Sequence, residues 1–293
     1  LAREALRLVL FSDTIAARLH LGAWRELNRG APRRVDWVMG AAMFARRAAD
    51  GMDRVDSIRI RDGDTGSSPD HPFVSLFSPE SFVEETTTPS RIWRDGRYET
   101  VPPFGAHEVF EFPPPLGRLS VYSVDHEEVD SLPRFIGKGV RYVDFKLALD
   151  DPTVAQLREY QKLREGARSP EEFRETRKRF FAAIPKPADL TGKVVGDSGI
   201  FVEVRGERGG RRKVHTFFTV MSHPGASEKF GATATAYLTG TGASVGALML
   251  AAGHIREKGV IPPEMLDPEI ALPMIRERGI EVLEHVAWEP SGT

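Results

Sequence analysis

Two dipeptides restrict the fold more than any other part of this chain. Asp95-Gly96 lies between Arg91–Arg94 and Arg97–Val101, and Gly209-Gly210 lies between Ile200–Arg208 and Arg211–Met221. A two-residue connection of this type needs positive φ at both central positions, which Asp-Gly and Gly-Gly supply, and it can join only antiparallel neighbours. A purely parallel sheet is therefore excluded. Further strands are expected at Val35–Met39, Val55–Arg61, Val109–Phe112, Leu119–Val124, Val140–Leu149 and Ile280–Trp288. In Val55–Arg61, strict alternation sends Val55, Ser57, Arg59 and Arg61 to one face and Asp56, Ile58 and Ile60 to the other. The Gly-, Ser-, Asp- and Pro-rich stretch Asp62–Pro72 reads as a loop.

Helix signals are interspersed with these strands. Ser78-Pro79-Glu80 and Ser169-Pro170-Glu171 each offer a capping hydroxyl, a first-turn proline and an acid at the positive end of the helix dipole. They predict helices to about Glu85 and over Pro170–Ala183. Periodicity adds helices over residues 1–30, Ala41–Asp50, Thr153–Gly166, the uncharged stretch near Gly231–Gly253, and one from Pro268. The expected class is α/β (α+β): a mixed, largely antiparallel sheet covered by helices.

Composition narrows the chemistry. Forty basic against forty-two acidic side chains leave a net charge of -2, so no excess of Lys and Arg is available for phosphates, and no nucleic-acid partner is expected. Cysteine is absent, which excludes disulfides, thiolate zinc sites, iron–sulfur clusters and a cysteine nucleophile, and fits a cytoplasmic location. Charges interrupt the apolar residues of Leu1–Phe11, so no secretory leader is read there. The chain opens on Leu1 and is expected to be a piece of a longer reading frame. The uncharged run Phe230–Gly253 approaches the ~20 residues that span a bilayer. Its threonines and glycines make it too weakly hydrophobic, so a buried helix and no membrane partner are expected.

Two motifs need weighing. His126-Glu127-Glu128 begins like a zinc-protease motif, but the second histidine is missing because position 130 is Asp130, so no metal is expected. Alone, His126 reads as a surface histidine ahead of a helix, or as a proton-transfer group with a pKa near neutrality. Gly240, Gly242 and Gly246 imitate a dinucleotide fingerprint with one residue too many and no strong strand before them. Their small size predicts close helix packing, or a ligand approaching the backbone at Thr239, Gly240 and Thr241. There is no phosphate-binding Gly-Lys loop and no Gly-x-Ser-x-Gly elbow.

Several segments taken in order carry a resemblance. They are Val55–Gly63, Phe77–Glu80, Pro89–Val101, Phe110–Pro115, His126–Pro133, Arg141–Lys146, and Gly231–Gly240 through Gly259–Pro268 to Arg278–Ile280. Over about residues 38–285 the chain resembles the saccharopine dehydrogenase-like family, in the part that binds substrate and dimerises. The resemblance implies an NAD- or NADP-dependent oxidoreductase acting on C–N bonds of an amino-acid or polyamine substrate, and a homodimer. For such an enzyme the expected catalytic groups are His126 or Lys146 for proton transfer, with Glu127 setting the pKa. Arg141, in a bidentate pair with a carboxylate, and Phe145 are the expected substrate contacts, and the family pattern suggests Thr239, Gly240 and Thr241 as cofactor contacts. Only 54 residues precede Val55, and none forms a strand followed by Gly-x-Gly-x-x-Gly. The expected division is a helical segment at 1–37, a remnant or replacement of the nucleotide-binding domain, followed by the substrate and dimerisation domain at 38–293. An oxidoreductase incomplete as this chain and a non-catalytic dimerisation or small-ligand module both remain open.

Overall fold

The computed structural model describes residues 39–259 and 261–289. The expected helix over residues 1–30 and the 1–37 segment lie outside the described residues. So does the expected strand Val35–Met39, apart from Met39, which opens a helix. In chain order the elements are α1 (Met39–Asp50), β1 (Arg54–Asp64), α2 (Pro79–Thr87), β2 (Ser90–Arg94), β3 (Arg97–Val101), β4 (Glu108–Glu111), β5 (Arg118–Ser123), α3 (Glu128–Phe135) and β6 (Tyr142–Ala148). They continue with α4 (Asp151–Gly166), α5 (Pro170–Ala182), β7 (Asp197–Arg208), β8 (Arg211–Ser222), α6 (His223–Phe230), α7 (Ala234–Ala251), α8 (Pro268–Glu277) and β9 (Leu283–Trp288).

The nine strands of the described residues join one sheet, with the main order β3-β2-β6-β1-β7-β8-β9. Both predicted hairpins form. Asp95 and Gly96 have φ of 45° and 87°, and Gly209 and Gly210 have 57° and 74°, as a twist-matched two-residue turn requires. β7 and β8 pair along their full length, from Asp197 opposite Ser222 to Arg208 opposite Arg211. One parallel pair lies inside this antiparallel frame: β1 runs beside β6, with Ile58 opposite Val143 and Ile60 opposite Phe145. On its far edge β6 is shared by β2 near its start and β5 near its end.

The two faces of the sheet differ in chemistry. One carries Ile58, Ile60, Val143, Phe145, Val202 and Val204 into the main core, where α1 supplies Ala41, Phe44, Ala45 and Ala48. Phe44 stacks on Phe217 with ring centroids 5.2 Å apart. The other face holds a buried ion network. Arg61 is 0% exposed and pairs both terminal nitrogens with the two oxygens of Asp144 at 2.8 Å. Its Nε donates to Glu108 Oε1 at 2.6 Å, and Lys146 Nζ lies 3.2 Å from Glu108 Oε2. Burial opposes the charge on Glu108, but Arg61 and Lys146 outweigh it and hold the carboxyl below its ordinary range. Such a network satisfies charges that would be costly to bury singly.

Two sequence expectations are corrected. β1 continues through Asp62, Gly63 and Asp64 rather than ending in a loop at Asp62, because these residues pair with Ile200, Gly199 and Ser198 of β7. A register shift between Val55 and Ser57 breaks the strict alternation and turns Val55 into the same core as Ile58 and Ile60. The helix expected near Gly231–Gly253 forms as α7, separate from the short α6 before it. α6 ends at Gly231 in the left-handed region (φ 66°), and α7 begins afresh with Thr233 as its N-cap. Among the described residues, no helix is long and apolar enough to cross a membrane.

Candidate functional site

The side chains with the most unusual surroundings gather where the parallel pair ends. A strand places every second side chain on one face. Asp62 and Asp64 therefore follow Ile58 and Ile60 onto the helix-covered side of the sheet, beyond its apolar part. Gly63 faces the other way, and a Cβ there would lie 2.8 Å from Leu116 Cδ1 and 2.9 Å from Phe112 Cε1. The glycine thus lets the strand run flat beneath these two side chains while it carries an acid on either side.

Asp62 and Asp64 line a cavity of about 520 Å³, together with Phe73, Phe77 and Phe82, Leu147 and Leu149, and Thr235. Asp64 is an acceptor throughout. Its Oδ1 receives the Gly66 N–H at 2.6 Å and lies 3.3 Å from His223 Nε2, and its Oδ2 receives the Thr235 hydroxyl at 2.9 Å. His223 is fully buried, and its Nδ1 accepts the Ala234 N–H at 3.2 Å. That contact places the imidazole proton on Nε2, so the ring donates to Asp64. Gly66 is needed for this arrangement, since a Cβ there would lie 2.7 Å from Asp64 Oδ1 and 2.8 Å from His223 Nε2. Asp62 differs: among the described residues no donor reaches its carboxyl. Burial, reinforced by Asp64 and Glu128 and opposed by His126, pushes it up to about 7.

His126 lies flat against Phe145, with centroids 3.7 Å apart and the planes parallel. Its side chain is only 8% exposed, so it is not the surface histidine of the first reading. Phe145 is presented by the core face of β6, which explains the inward position. The Nδ1 of His126 bonds to Glu128 Oε2, and Glu127 Oε2 is 3.6 Å away. Burial works against the charged ring, but Glu128, Glu127 and Glu85 together outweigh it and hold its pKa well above the ordinary value. The ring's principal partner is thus Glu128, one residue beyond the Glu127 expected from sequence. The ligand atoms of His126, Glu127 and Glu128 lie within 4.8 Å of one another. With Nδ1 already bonded to Glu128, the arrangement is that of a hydrogen-bonded dyad.

The remaining expected site residues are dispersed. Lys146 follows Phe145 in β6 and so points to the opposite face, into the Arg61 network; burial, reinforced by Arg61, lowers its pKa. Arg141 stands at the start of β6, donates to Asp95 Oδ1 at 2.8 Å, and borders a separate surface concavity with Arg54, Arg94 and Arg212. Thr239 and Gly240 are exposed on α7, one to two turns beyond Thr235, while Thr241 is buried. The sequence reading missed Asp64, His223, Thr235 and the bare carboxyl of Asp62. A signal existed for the two acids, because the alternation of β1 carries on through Gly63. No local pattern marked the convergence of His223 and Thr235 on Asp64.

A nicotinamide dinucleotide needs a turn of backbone N–H groups at a helix N-terminus to hold its pyrophosphate. The glycines at 240, 242 and 246 lie inside α7, where the backbone is already hydrogen-bonded along the helix. These glycines therefore do not form that cradle.

Fold and site together define a mixed-sheet domain with an acidic cavity at the carboxyl end of the parallel β1–β6 pair. The chain belongs to the family described as the saccharopine dehydrogenase C-terminal domain, whose sequence model matches residues 42–279. It is 28% identical over 274 residues to carboxynorspermidine synthase of Vibrio cholerae, covering 85% of this chain and 60% of that protein. It is 25% identical over 214 residues to carboxyaminopropylagmatine dehydrogenase of Synechocystis, covering 71% and 53%. The chain thus spans between half and two thirds of these relatives. Among solved structures it is similar to homospermidine synthase of Legionella pneumophila in complex with NAD, with a TM-score of 0.58 and 16% identity over 92% of this chain and 60% of that one. It is also similar to apo saccharopine dehydrogenase (L-Glu forming) of Saccharomyces cerevisiae, with a TM-score of 0.52 and 14% identity over 84% and 71%. At these identities the solved structures establish the fold.

Proposed function

We propose that this chain supplies the amine-binding part of an NAD- or NADP-dependent oxidoreductase that acts on a C–N bond of a polyamine. The observation that carries the reading is the cavity itself: two carboxylates on one strand face, Asp62 and Asp64, opposite three phenyl rings, Phe73, Phe77 and Phe82. A polyamine alternates ammonium groups with methylenes and fits both kinds of wall. A hydrogen bond from an ammonium to a carboxylate contributes about 1.5–3 kcal/mol, and the rings take the methylenes out of water. The names of the Vibrio and Synechocystis relatives support a polyamine over a simple amino acid. The amino-acid alternative would need a cation to hold the α-carboxylate. The expected Arg141 stands at the other end of β6, already engaged with Asp95.

Within this reading the chain's own residues bind and orient the amine, exclude water with the Phe73–Phe77–Phe82 wall, and manage its proton. The cofactor supplies the hydride chemistry. Thr239 and Gly240 offer an exposed surface toward it, and the grip on its pyrophosphate lies outside the described residues. Homodimerisation and a cytoplasmic location belong to the same proposal.

Calorimetric titration of the chain with norspermidine, lysine and an uncharged diol of similar length tests the reading. Norspermidine is expected to bind, and Asp64→Asn to weaken it about tenfold, or about 1.4 kcal/mol. Equal affinity for norspermidine and the diol refutes it.

A further inference from the structure

We propose that Asp62 takes up the proton of the substrate amine, while Asp64 is the hydrogen-bonded acceptor that positions it; the inference rests on the amine reading above. The two acids are two residues apart on one strand and share one cavity, yet their surroundings differ. Three donors from three directions engage Asp64: the Gly66 backbone, the Thr235 hydroxyl and the buried His223 ring. The N-terminus of α7, where Thr235 stands, adds its positive dipole end to this carboxylate. No donor among the described residues engages Asp62, so its oxygens are available to whatever enters.

The charged groups around Asp62 come from several elements. Asp64 shares its strand. His126 and Glu128 act on it from the start of α3, His126 favouring the ionised form and Glu128 opposing it. His71, Arg118, Asp150 and Asp151 border the same cavity. The balance leaves Asp62 at about 7, within reach of both protonation states at neutral pH. The step is a plain transfer. The N–H bond of the bound ammonium breaks, an O–H bond forms on Asp62, and the nitrogen keeps the electron pair. The products are a neutral amine, able to attack a carbonyl carbon, and a carboxylic acid. No other reactant is required. His126, backed by Glu128 and fixed on Phe145, keeps a positive charge near Asp62 and so favours its return to the ionised form.

Titrating the chain with norspermidine in phosphate and in Tris, whose ionisation enthalpies differ, counts the protons released on binding. Near pH 7 the free carboxyl and ammonium together carry about 1.5 protons and share one when bound, so about 0.5 proton is released. Release should rise toward about one proton near pH 5 and vanish near pH 9, as Asp62 passes from protonated to ionised in the free protein. Asp62→Asn should bind without this release, and Asp62→Glu should restore it. Asp64→Asn should lose about tenfold in affinity with the proton count unchanged. If Asp62→Asn binds and releases as many protons as the parent, the inference falls while the amine reading stands. If the parent does not bind norspermidine at all, both fall. Should Asp62→Asn not fold, the parent and Asp62→Glu still decide: binding without pH-dependent release in both overturns the assignment.

Discussion

Glu264 offers a sharp test of how far burial governs this molecule. It lies in a single 3-10 turn, Pro263–Met265, packed against α1 and α3, and is 0% exposed. Neither carboxylate oxygen has a hydrogen-bond partner of acceptable geometry, although Ser131 is near enough to favour the charged form slightly. Burial, reinforced by Glu128, pushes the group up to about 7 from an ordinary 4.5. The folded protein therefore keeps a proton that the unfolded chain gives up. Its contribution to stability is fully present below about pH 4.5 and is lost as pH rises to about 7. The gap of about 2.5 pH units, at about 1.36 kcal/mol each, amounts to about 3 kcal/mol at most. Glu264→Gln is neutral at every pH and keeps the shape. Urea unfolding should show the variant gaining on the parent between pH 4.5 and pH 8, by up to about 3 kcal/mol. Any fixed cost of the amide cancels in that comparison. Parallel stability curves over this range would refute the account, because they would mean that the carboxylate is solvated or paired in the fold.

Three further outcomes follow from the same physics. Asp144→Ala leaves Arg61 buried with only Glu108 and should cost about 3–5 kcal/mol in urea unfolding, whereas replacing Arg61 and Asp144 together by Met and Leu should cost far less. Gly63→Ala drives a methyl into Leu116 and Phe112 and should cost about 1–3 kcal/mol by thermal unfolding, with norspermidine affinity reduced because Asp62 and Asp64 tilt. The raised pKa of His126 means that its stabilisation is complete below about pH 6.5 and fades as pH rises through the folded value. The melting-temperature gap between the parent and His126→Gln should therefore be larger at pH 6 than at pH 9; a constant gap would contradict the charged dyad.

Local rules determined a large part of this fold from sequence alone. The two hairpins depend on positive φ at Asp95–Gly96 and Gly209–Gly210, a property of those residues wherever they stand. The helix starts at Pro79 and Pro170 depend on the hydroxyls of Ser78 and Ser169, which cap in the structure as expected. The family resemblance was also legible, since ordered short segments survive where overall identity is low. The site was less so. His126 and Phe145 were singled out, but whether they touch depends on the loop after β5 folding over β6, and no local pattern encodes that contact. Lys146 stands apart from that contact for a definite reason: next to Phe145, pleating turns it to the opposite face of the sheet, into the buried Arg61 network. Asp62 and Asp64 were lost to a loop because their own composition favours turns, and only pairing with β7 holds them extended. Which of two similar acids is engaged and which is bare was decided by His223, Gly66 and Thr235, drawn from three separate places in the chain. Such long-range convergence follows from packing, which fixes distances that sequence spacing leaves free.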